Sequence, residues 1–443
     1  MSACTPGSGW CCTGGSTRAY RVTGLSKVSW SRSVVMRATL RTLPAVRDRV
    51  DGVARAVPQR GGHPRRGRGG GRGALSADAY RDRVPTPDVP PTTPRVVLHL
   101  VDRATGGVPV AVRGYIENSP PGFRHIVASP HGSDGPAAVW AEGARVLDAR
   151  HVDWDVAHPL VAISGVRALV SRFAPDVVHA HSSFPGVYAR AALRDGPRRV
   201  YTPHCFAFER RDVGMVARSA YRGIERALRG RADLLAAAGP GEAVAAARLG
   251  YPAARIRVIP NVPSVRRVSS VPPAPTDAET LTVGMLGRWA PQKDPDLFVG
   301  AVRRLRAELP GVRVRGRWIG GGEGADAAPE DIEVTGWQAP DSVAAQLGGL
   351  DVYLHSAAWE AAVAIAILDA VECGVPVLAR PLAAMPGLPS AVQWDVGLRT
   401  LVAAVRAGSL ARWQDDNRAR WAEYLGGTFT VEAQRAALRA VWG

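Results

Sequence analysis

Two series of short apolar runs, each run followed by an amphipathic helical stretch, make up most of this 443-residue chain. The first series contains VVLHLV, HIVAS, DVVHAHS, RVYTPH, LLAAA and IRVIPN, and the second extends from LTVGML to VPVLAR. Apolar runs that alternate with helices predict parallel strands joined by crossover helices. The chain is therefore predicted to be α/β, with two doubly wound sheets.

A proline- and serine-rich segment, VPSVRRVSSVPPAPTDAE, separates the two series. This composition is typical of a linker. Two sheets joined in this way place a cleft between the carboxyl ends of their strands, where ligands bind in such folds. The predicted organisation is a tail over residues 1–94, a first domain over 95–262, a linker over 263–280, a second domain over 281–412, and helices over 413–443 that return toward the first domain.

The first 94 residues differ from the rest in composition. They lack hydrophobic periodicity, contain PRRGRGGGRG, and carry 16 basic and 5 acidic side chains, or +11 of the net charge of +17. This composition predicts a disordered basic tail rich in arginine, glycine and proline. Three interpretations of this tail remain open: a flexible spacer, residues translated from an upstream start codon, or an arm for anionic partners. Without interleaved aromatic residues, no nucleic-acid partner is expected.

Cysteine content and hydropathy bear on the cellular compartment. The five cysteines form neither a disulfide framework nor a zinc-binding spacing, which fits a reducing cytoplasm. No run of about 18 apolar residues is present. We expect a cytoplasmic protein, either soluble or peripheral at the inner face of the membrane. The arginine-dense stretch over residues 210–231 suits contact with anionic lipid, or is a solvated face.

Lysine is rare in this chain, with Lys27 and Lys293 alone beside 54 arginines. Lys293 lies in GMLGRWAPQKD, between a predicted strand and a predicted helix. A glycine turn with Arg288 and Lys293 five residues apart offers two cations to one small anion, most obviously a diphosphate. A compact ammonium is expected where a planar guanidinium cannot replace it.

A second motif, HSAAWEAAVAIAILDAVECGVPVLAR, begins at the end of another predicted strand. Together with GRWAPQK, and with GGVPVAV, PDVVHAHSSFPG, VYTPHCFAF and RIRVIPNV in the first series, it resembles the retaining glycosyltransferases of family 4. The resemblance covers about residues 95–443. It implies the GT-B fold, in which two Rossmann-like doubly wound domains face each other.

The resemblance also implies roles for individual residues near the reacting sugar. Arg288 and Lys293 would hold the diphosphate of a UDP- or GDP-sugar, where preorganised cations stabilise the charge that develops on the leaving phosphate. Glu360 resembles the acidic residue beside the donor sugar, and His204 the histidine beside the reacting sugar. The implied catalytic residues are His204, Arg288, Lys293 and Glu360.

Further donor contacts follow from the same resemblance. Gly106 and Gly107 resemble a turn that lets backbone amides approach the phosphates, and Asp369 resembles the acidic residue that binds the ribose hydroxyls. The family spaces its two acidic residues eight apart, whereas Glu360 and Asp369 are nine apart. An extra residue inside a helix rotates a side chain by about 100°. The contacts of Asp369 therefore depend on where that residue is accommodated.

The activity implied by the resemblance is that of a retaining, metal-independent hexosyltransferase. It would move a sugar to a glycan, lipid-linked or small-molecule acceptor held by the first domain, by front-face substitution in which the leaving phosphate helps deprotonate the acceptor. No cofactor or metal is expected beyond the nucleotide-sugar co-substrate. The alternatives are a nucleotide-sugar epimerase or hydrolase on the same fold, and a noncatalytic protein that binds a nucleotide sugar or glycan.

Other candidate residues are expected to have structural roles. His179 and His181 face one side of a strand as a potential metal pair, but they lack a third ligand at a usable spacing and are expected to line the cleft. The DWD triplet at residues 153–155 is expected to form a polar surface turn. The glycines at residues 320–322 are expected to form a turn near the donor, and Cys205 is expected to pack rather than react.

Overall fold

The computed structural model describes residues 93–130, 149–265, 279–322 and 324–443. The predicted tail over residues 1–94 lies almost wholly outside these ranges, and so do residues 266–278 of the predicted linker. The described chain forms two parallel sheets, each covered by helices, so the predicted α/β class is confirmed. Among the described helices, none is both long enough and apolar enough to span a bilayer.

Over residues 93–130 and 149–265, the first domain shows seven parallel strands and five α-helices. The strands are β1 (Arg95–Leu100), β2 (Phe123–Ser129), β3 (Ala149–Asp153), β4 (Val177–His181), β5 (Arg198–Thr202), β6 (Leu234–Ala237) and β7 (Ile256–Val258). The helices are α1 (Gly107–Glu117), α2 (Pro159–Phe173), α3 (Ser183–Ala192), α4 (Met215–Leu228) and α5 (Pro240–Leu249). The sheet order is β3-β2-β1-β4-β5-β6-β7. The order reverses between β1 and β4, which places a crevice at their carboxyl ends.

The second domain repeats this plan, with five parallel strands among its described residues. The strands are β8 (Thr280–Leu286), β9 (Arg313–Ile319), β10 (Ile332–Val334), β11 (Val352–His355) and β12 (Val377–Ala379). The helices are α6 (Pro295–Glu308), α7 (Pro340–Gly348), α8 (Ile365–Glu372), α9 (Trp394–Arg406) and α10 (Leu410–Leu425). The sheet order is β10-β9-β8-β11-β12, so the corresponding crevice lies at the ends of β8 and β11.

The predicted segment over residues 413–443 is divided between the two domains. Helix α10 packs on the second domain, where the buried indole of Trp421 donates a hydrogen bond from Nε1 to the carbonyl of Val377 at 2.8 Å. Helix α11 (Val431–Trp442) packs instead on the first domain. Only α11 therefore makes the return that the sequence suggests.

Trp442 of α11 completes the core of the first domain. Its fully buried indole packs against the rings of Phe123, His99 and His125, at centroid distances of 5.2 to 5.6 Å. Its Nε1 donates to Nδ1 of His179 at 3.2 Å. A residue of α11 thus fills space that β1 and β4 would otherwise expose.

We predict that Trp442→Ala destabilises the first domain by about 3 to 5 kcal/mol, because it removes a buried aromatic ring and one partner of His179. Trp337→Ala is the control, since that side chain is 41% exposed. Urea unfolding followed by circular dichroism measures both. Equal unfolding midpoints for the two variants would contradict the prediction.

Candidate active site

Hydrogen bonds join two loops of the second domain at the ends of β8 and β11. The hydroxyl of Ser356 donates to the carbonyl of Lys293 at 2.6 Å, and the amide of Ala358 donates to the carbonyl of Gln292 at 2.9 Å. These bonds bring the GRWAPQK segment to the start of the loop that carries Glu360. The two motifs of the second domain, 67 residues apart, therefore share one surface.

Lys293 and Glu360 form an ion pair at this surface. Nε2 of the buried His355 lies 3.3 Å from Oε1 of Glu360, without the geometry of a hydrogen bond. Burial alone would raise the pKa of Glu360, but the charge of Lys293 and the contact with His355 hold it at about 2. Glu360 is therefore an anion at neutral pH, and Lys293 is held beside it.

Glycines 320 and 287 allow this arrangement. A Cβ on Gly320, whose φ is 125°, would lie 2.3 Å from the carbonyl oxygen of Gly287. A Cβ on Gly287 would lie 3.2 Å from Cε of Lys293. The indole Nε1 of Trp318 donates to that same Gly287 carbonyl at 2.9 Å. The run at residues 320–322 therefore supports the cation-bearing loop.

Arg288 lies across the cleft from the glycine turn of the first domain. A Cβ on Gly106, whose φ is 95°, would lie 3.6 Å from Nε of Arg288. At Gly107, where α1 begins, an added Cβ would meet no atom of another described segment within 4 Å. The structure thus brings Arg288 together with Gly106, beside the amino terminus of a helix, which is a favourable place for an anion.

His204 and Cys205 form a turn at the end of β5 with unusual backbone angles. Their φ values are 48° and 84°, a region that costs non-glycine residues energy. The carboxylate of Glu242 accepts from the amide of Cys205 at 2.7 Å and from that of Ala238 at 2.8 Å, which stabilises the turn. Burial raises the pKa of Glu242 to about 8.

The thiol of Cys205 is poorly suited to act as a nucleophile. Burial raises its pKa well above the ordinary value, and the neighbouring carboxylates, including Glu360, add to that effect. The thiolate, which is the reactive form, is therefore disfavoured. The influence of Glu360 also indicates that the turn at His204 and Cys205 faces the second domain near that residue.

His179 and His181 do not line the cleft, contrary to the prediction. Both side chains are fully buried. His99 on β1 is buried with them, because the sheet register sets it directly beside His179. Ring nitrogens of these three residues all lie within 4.8 Å of one another, which is compatible with a metal ion. The sequence offered no sign of His99 as a third member, since it lies 80 residues before His179.

Hydrogen bonds engage all six ring nitrogens of this histidine cluster. Besides Trp442, His179 contacts Oγ1 of Thr202 at 2.8 Å. The two nitrogens of His99 contact His181 and His125 at 3.0 and 3.1 Å, and His181 contacts His204 at 3.1 Å. A metal ion would have to displace several of these bonds. The cluster is therefore explained as a hydrogen-bonded network that supports His204.

The network also determines which nitrogen of His204 carries the proton. The chain of hydrogen bonds ends at Ser119, whose hydroxyl donates to the carbonyl of Pro120 and accepts from Nε2 of His125 at 2.9 Å. Following donors and acceptors back along the network assigns a proton to Nε2 of His204, which donates to His181. Burial lowers the pKa of His204 to about 3. His204 is therefore neutral, with Nδ1 as an acceptor.

Asp369 makes contacts that the sequence does not predict. Its carboxylate is 2% exposed and accepts from the amide and hydroxyl of Ser264 at 2.5 and 2.8 Å, and from the amide of Val265 at 3.2 Å. Burial raises its pKa to about 7. Four non-helical residues separate Glu360 from α8, so the nine-residue spacing includes a loop. In this structure Asp369 holds the connection between the domains.

Two glycines of the first domain allow the domains to approach closely. A Cβ on Gly239 would lie 2.5 Å from Cβ of Ala362, and one on Gly241 would lie 2.6 Å from Cα of Ala384. Asn261 adds a hydrogen bond from Nδ2 to the carbonyl of Val363 at 3.0 Å. The two halves of the candidate site are thus in direct contact.

The DWD triplet differs in part from the predicted polar surface turn, because Asp153 ends β3 and Trp154 belongs to the hydrophobic core. Trp154 is buried and donates from Nε1 to the carbonyl of Ala162 at 3.1 Å. The carboxylate of Asp155 accepts from the amide of Ala157 and contacts His158. These contacts stabilise the turn before α2.

A cavity of about 400 Å³ lies between the domains, where the sequence predicts a cleft, but its arginine lining was not predicted. The second domain contributes Trp359 and Glu360 to its wall, so the cavity opens onto the candidate donor site. From the first domain the cavity is lined by arginines, namely Arg211, Arg218, Arg222, Arg226 and Arg248.

Comparison with known families matches most of the described chain. Residues 106–262 match the family described as a glycosyl transferase 4-like domain, and residues 280–412 match the family described as glycosyl transferases group 1. A relative from Klebsiella pneumoniae, described as an uncharacterized 41.2 kDa protein in the cps region, is 24% identical over 302 residues, which are 66% of this chain and 82% of the relative.

Solved structures with a similar fold include a sucrose-phosphate synthase and HepE. Sucrose-phosphate synthase from Thermosynechococcus elongatus gives a TM-score of 0.61 at 14% identity, over 79% of this chain and 98% of the other. Anabaena HepE in complex with UDP-glucose gives 0.56 at 16% identity, over 78% and 98%. The GT-B arrangement of two facing Rossmann-like domains is thereby confirmed.

We predict that Asp369→Asn removes a pH dependence from stability. An asparagine amide can keep all three hydrogen bonds, accepting from the two amides and donating to the serine hydroxyl. Between about pH 4 and 7, folded wild type retains a proton that the unfolded chain has already released, so wild type loses stability relative to Asp369→Asn as the pH rises through this window. From pH 5 to 8 the gap should grow by roughly 2 kcal/mol.

Urea unfolding at several pH values measures this gap. Asp416→Asn is the matched control, because Asp416 is exposed and its substitution should leave the pH dependence unchanged. Asp369→Ala should destabilise the protein at every pH, since it loses the hydrogen bonds. If the free energies of unfolding of wild type and Asp369→Asn change with pH in the same way, folded Asp369 does not retain a proton in this pH range.

Proposed function

Because this chain belongs to the group 1 glycosyltransferases, we propose that it transfers a sugar from a UDP- or GDP-activated donor to an acceptor held by its first domain. The observation that carries this proposal is the meeting of Arg288 with Gly106 across the cleft, beside the ion pair of Lys293 and Glu360. The site therefore combines cations, helix amides and a carboxylate, as a sugar diphosphate requires.

Two relatives support the choice of substrate class. HepE has been crystallised with UDP-glucose, which suggests a nucleotide-sugar donor for this chain as well. The Klebsiella relative is encoded in a cps region, which suggests polysaccharide biosynthesis. A glycan or lipid-linked acceptor fits both suggestions.

We assign the cations Arg288 and Lys293 to the donor diphosphate. Cleavage of the bond between sugar and phosphate leaves negative charge on the phosphate, and fixed cations stabilise that charge most in the transition state. Because these two side chains supply positive charge, the reaction needs no divalent metal. Glu360, held as an anion by Lys293, would then be positioned beside the donor sugar.

The stereochemical course proposed here is retention, by front-face substitution. The leaving phosphate would accept the proton of the acceptor hydroxyl as the new glycosidic bond forms on the face that the phosphate leaves. His204 would accept a hydrogen bond from a sugar hydroxyl at Nδ1, since its other nitrogen is engaged with His181. Gly106 and Gly107 would allow the phosphates to approach the backbone.

Asp369 is proposed to receive the ribose hydroxyls once a donor is bound. To do so it would exchange its bonds to Ser264 and Val265 for bonds to the ribose, so donor binding and the interdomain connection would be coupled. Hydrogen bonds to a charged acceptor contribute roughly 1.5 to 3 kcal/mol each. This exchange would favour ionised Asp369.

A peripheral position at the inner face of the cytoplasmic membrane is also proposed. Met215 and Val216, at the start of α4, are 80% and 86% exposed. Arginines follow on the same helix, and apolar residues beside arginines suit an anionic bilayer surface. This face would bring a lipid-linked acceptor to the cleft.

We expect Arg288→Ala and Lys293→Ala to lower turnover by roughly 10²- to 10³-fold, by analogy with loss of an oxyanion-binding group. Lys293→Arg should also impair turnover, because the lysine stem packs closely on Gly287. Release of nucleotide diphosphate from the donor measures turnover, and EDTA should leave it unchanged.

Arg315→Ala serves as the control, since Arg315 is exposed on β9. Full activity of Lys293→Arg would refute the need for a compact cation. Loss of activity in EDTA would refute metal independence. Donor turnover without any acceptor would favour a hydrolase or epimerase, and tight binding without turnover would favour a binding protein.

The proposed membrane contact depends on the two exposed apolar residues at the start of α4. Met215→Asp with Val216→Asp should reduce sedimentation with phosphatidylglycerol vesicles by at least roughly tenfold, because it removes the apolar contact and adds repulsion. Val161→Asp with Leu160→Asp, which alters exposed apolar residues of α2, is the matched control. Equal sedimentation of both variants would place the membrane contact elsewhere.

A further inference from the structure

Five arginines of the first domain converge on the cavity that opens toward Glu360. Within the described part of the chain, none of the five pairs with a carboxylate. Neighbouring arginines do pair, such as Arg190 with Glu225 and Arg210 with Asp212. The cavity therefore collects cations that form no salt bridge within the described protein.

The fold holds these arginines toward the cavity. Helix α4 buries Tyr221, Glu225 and Leu228 on one face. Glu225 accepts from Arg190 at 3.0 Å and from the hydroxyl of Tyr201 at 2.9 Å, so the rotation of the helix is fixed. The remaining face carries the cavity arginines at a spacing of four residues.

This spacing is unfavourable for the helix alone. Arg218, Arg222 and Arg226 follow one another at i and i+4, where like charges repel. Phe208 orders two of them, because its carbonyl accepts from Nε of Arg218 at 2.9 Å and its ring lies 4.9 Å from the guanidinium of Arg222. A bound polyanion would relieve the repulsion between these ordered arginines.

The carboxylates that face the cavity do not cancel this charge. Glu360 is paired with Lys293. Burial raises the pKa of Glu209, although the nearby charge of Arg222 opposes that rise. Burial raises the pKa of Glu242 to about 8, so this side chain is mostly neutral at pH 7. The wall contributed by the first domain is therefore strongly positive.

We propose that this cavity binds a phosphate or diphosphate group carried by the acceptor, through Arg218, Arg222 and Arg226. The inference rests on the proposed function, which places the donor at Arg288 and Lys293 and leaves the first domain for the acceptor. A guanidinium group binds a phosphate through two parallel N–H···O hydrogen bonds. A cavity of about 400 Å³ admits a diphosphate with part of an attached sugar.

Calorimetric titration of inorganic diphosphate into protein saturated with UDP tests the proposal. UDP fills the donor site, so further binding reports the cavity. Arg218→Gln with Arg222→Gln should weaken diphosphate binding at least roughly tenfold and leave UDP affinity unchanged. Arg315→Gln with Arg412→Gln removes the same charge from exposed positions and should change neither affinity.

The proposal fails if UDP-saturated wild type binds no diphosphate, or if both double variants lose equal affinity. It also fails if Arg218→Gln with Arg222→Gln weakens binding to phosphatidylglycerol vesicles alone. If wild type binds neither UDP nor GDP, the proposed function fails, and the same comparison in nucleotide-free protein still decides the cavity. If it binds GDP instead of UDP, GDP takes the place of UDP in the titration. If farnesyl diphosphate binds more tightly than inorganic diphosphate, the acceptor's diphosphate is carried by a lipid. If the two ligands bind equally, the acceptor is soluble. Either result supports the proposal.

Discussion

The cleft of this protein depends on the buried carboxylate of Asp369. Three hydrogen bonds tie it to Ser264 and Val265, where the chain leaves the first domain. Once that connection is held against α8, Gly239 and Gly241 can meet the second domain without a side chain between them. Burying a carboxylate is costly unless hydrogen bonds compensate it, and here the compensation comes from backbone and hydroxyl donors rather than from a cation. The orientation of the two sheets thus depends on Asp369, a carboxyl group whose ionised form is disfavoured by burial.

The charges around the cleft are segregated by domain. In the second domain, the ammonium of Lys293 is neutralised by Glu360, so a ligand that engages it must compete with an existing ion pair. In the first domain, the cavity arginines form no such ion pair with any described residue. The histidine cluster next to His204 contributes no charge, because burial lowers the pKa values of His99, His179 and His181 and keeps them neutral. The pair of Lys293 and Glu360 is thus neutral as a unit, whereas Arg288 and the cavity arginines bring positive charge to the cleft.

The sequence predicts features that are encoded locally. Alternating apolar runs were sufficient for the two parallel sheets, and the spacing of Arg288 and Lys293 in one loop indicated an anion site. Contacts between distant residues were not predictable. His99 meets His179 only through the register of β1 and β4, and the partner of Asp369 lies 105 residues away. The roles of Arg288, Lys293, Glu360, Asp369 and His204 toward a substrate remain predictions, because they depend on a ligand rather than on the fold.

The docking of α11 on the first domain has a consequence for the order in which the protein folds during translation. Leu438, Val441 and Trp442 belong to the same core as Val97, Val177 and Val200. These residues emerge from the ribosome only after the whole second domain, although domains usually fold as units in the order of their synthesis. The domain that is synthesised first is thus completed after the second one. Until then, the pocket for Trp442 stays open on the nascent chain, as an apolar surface that a chaperone could cover.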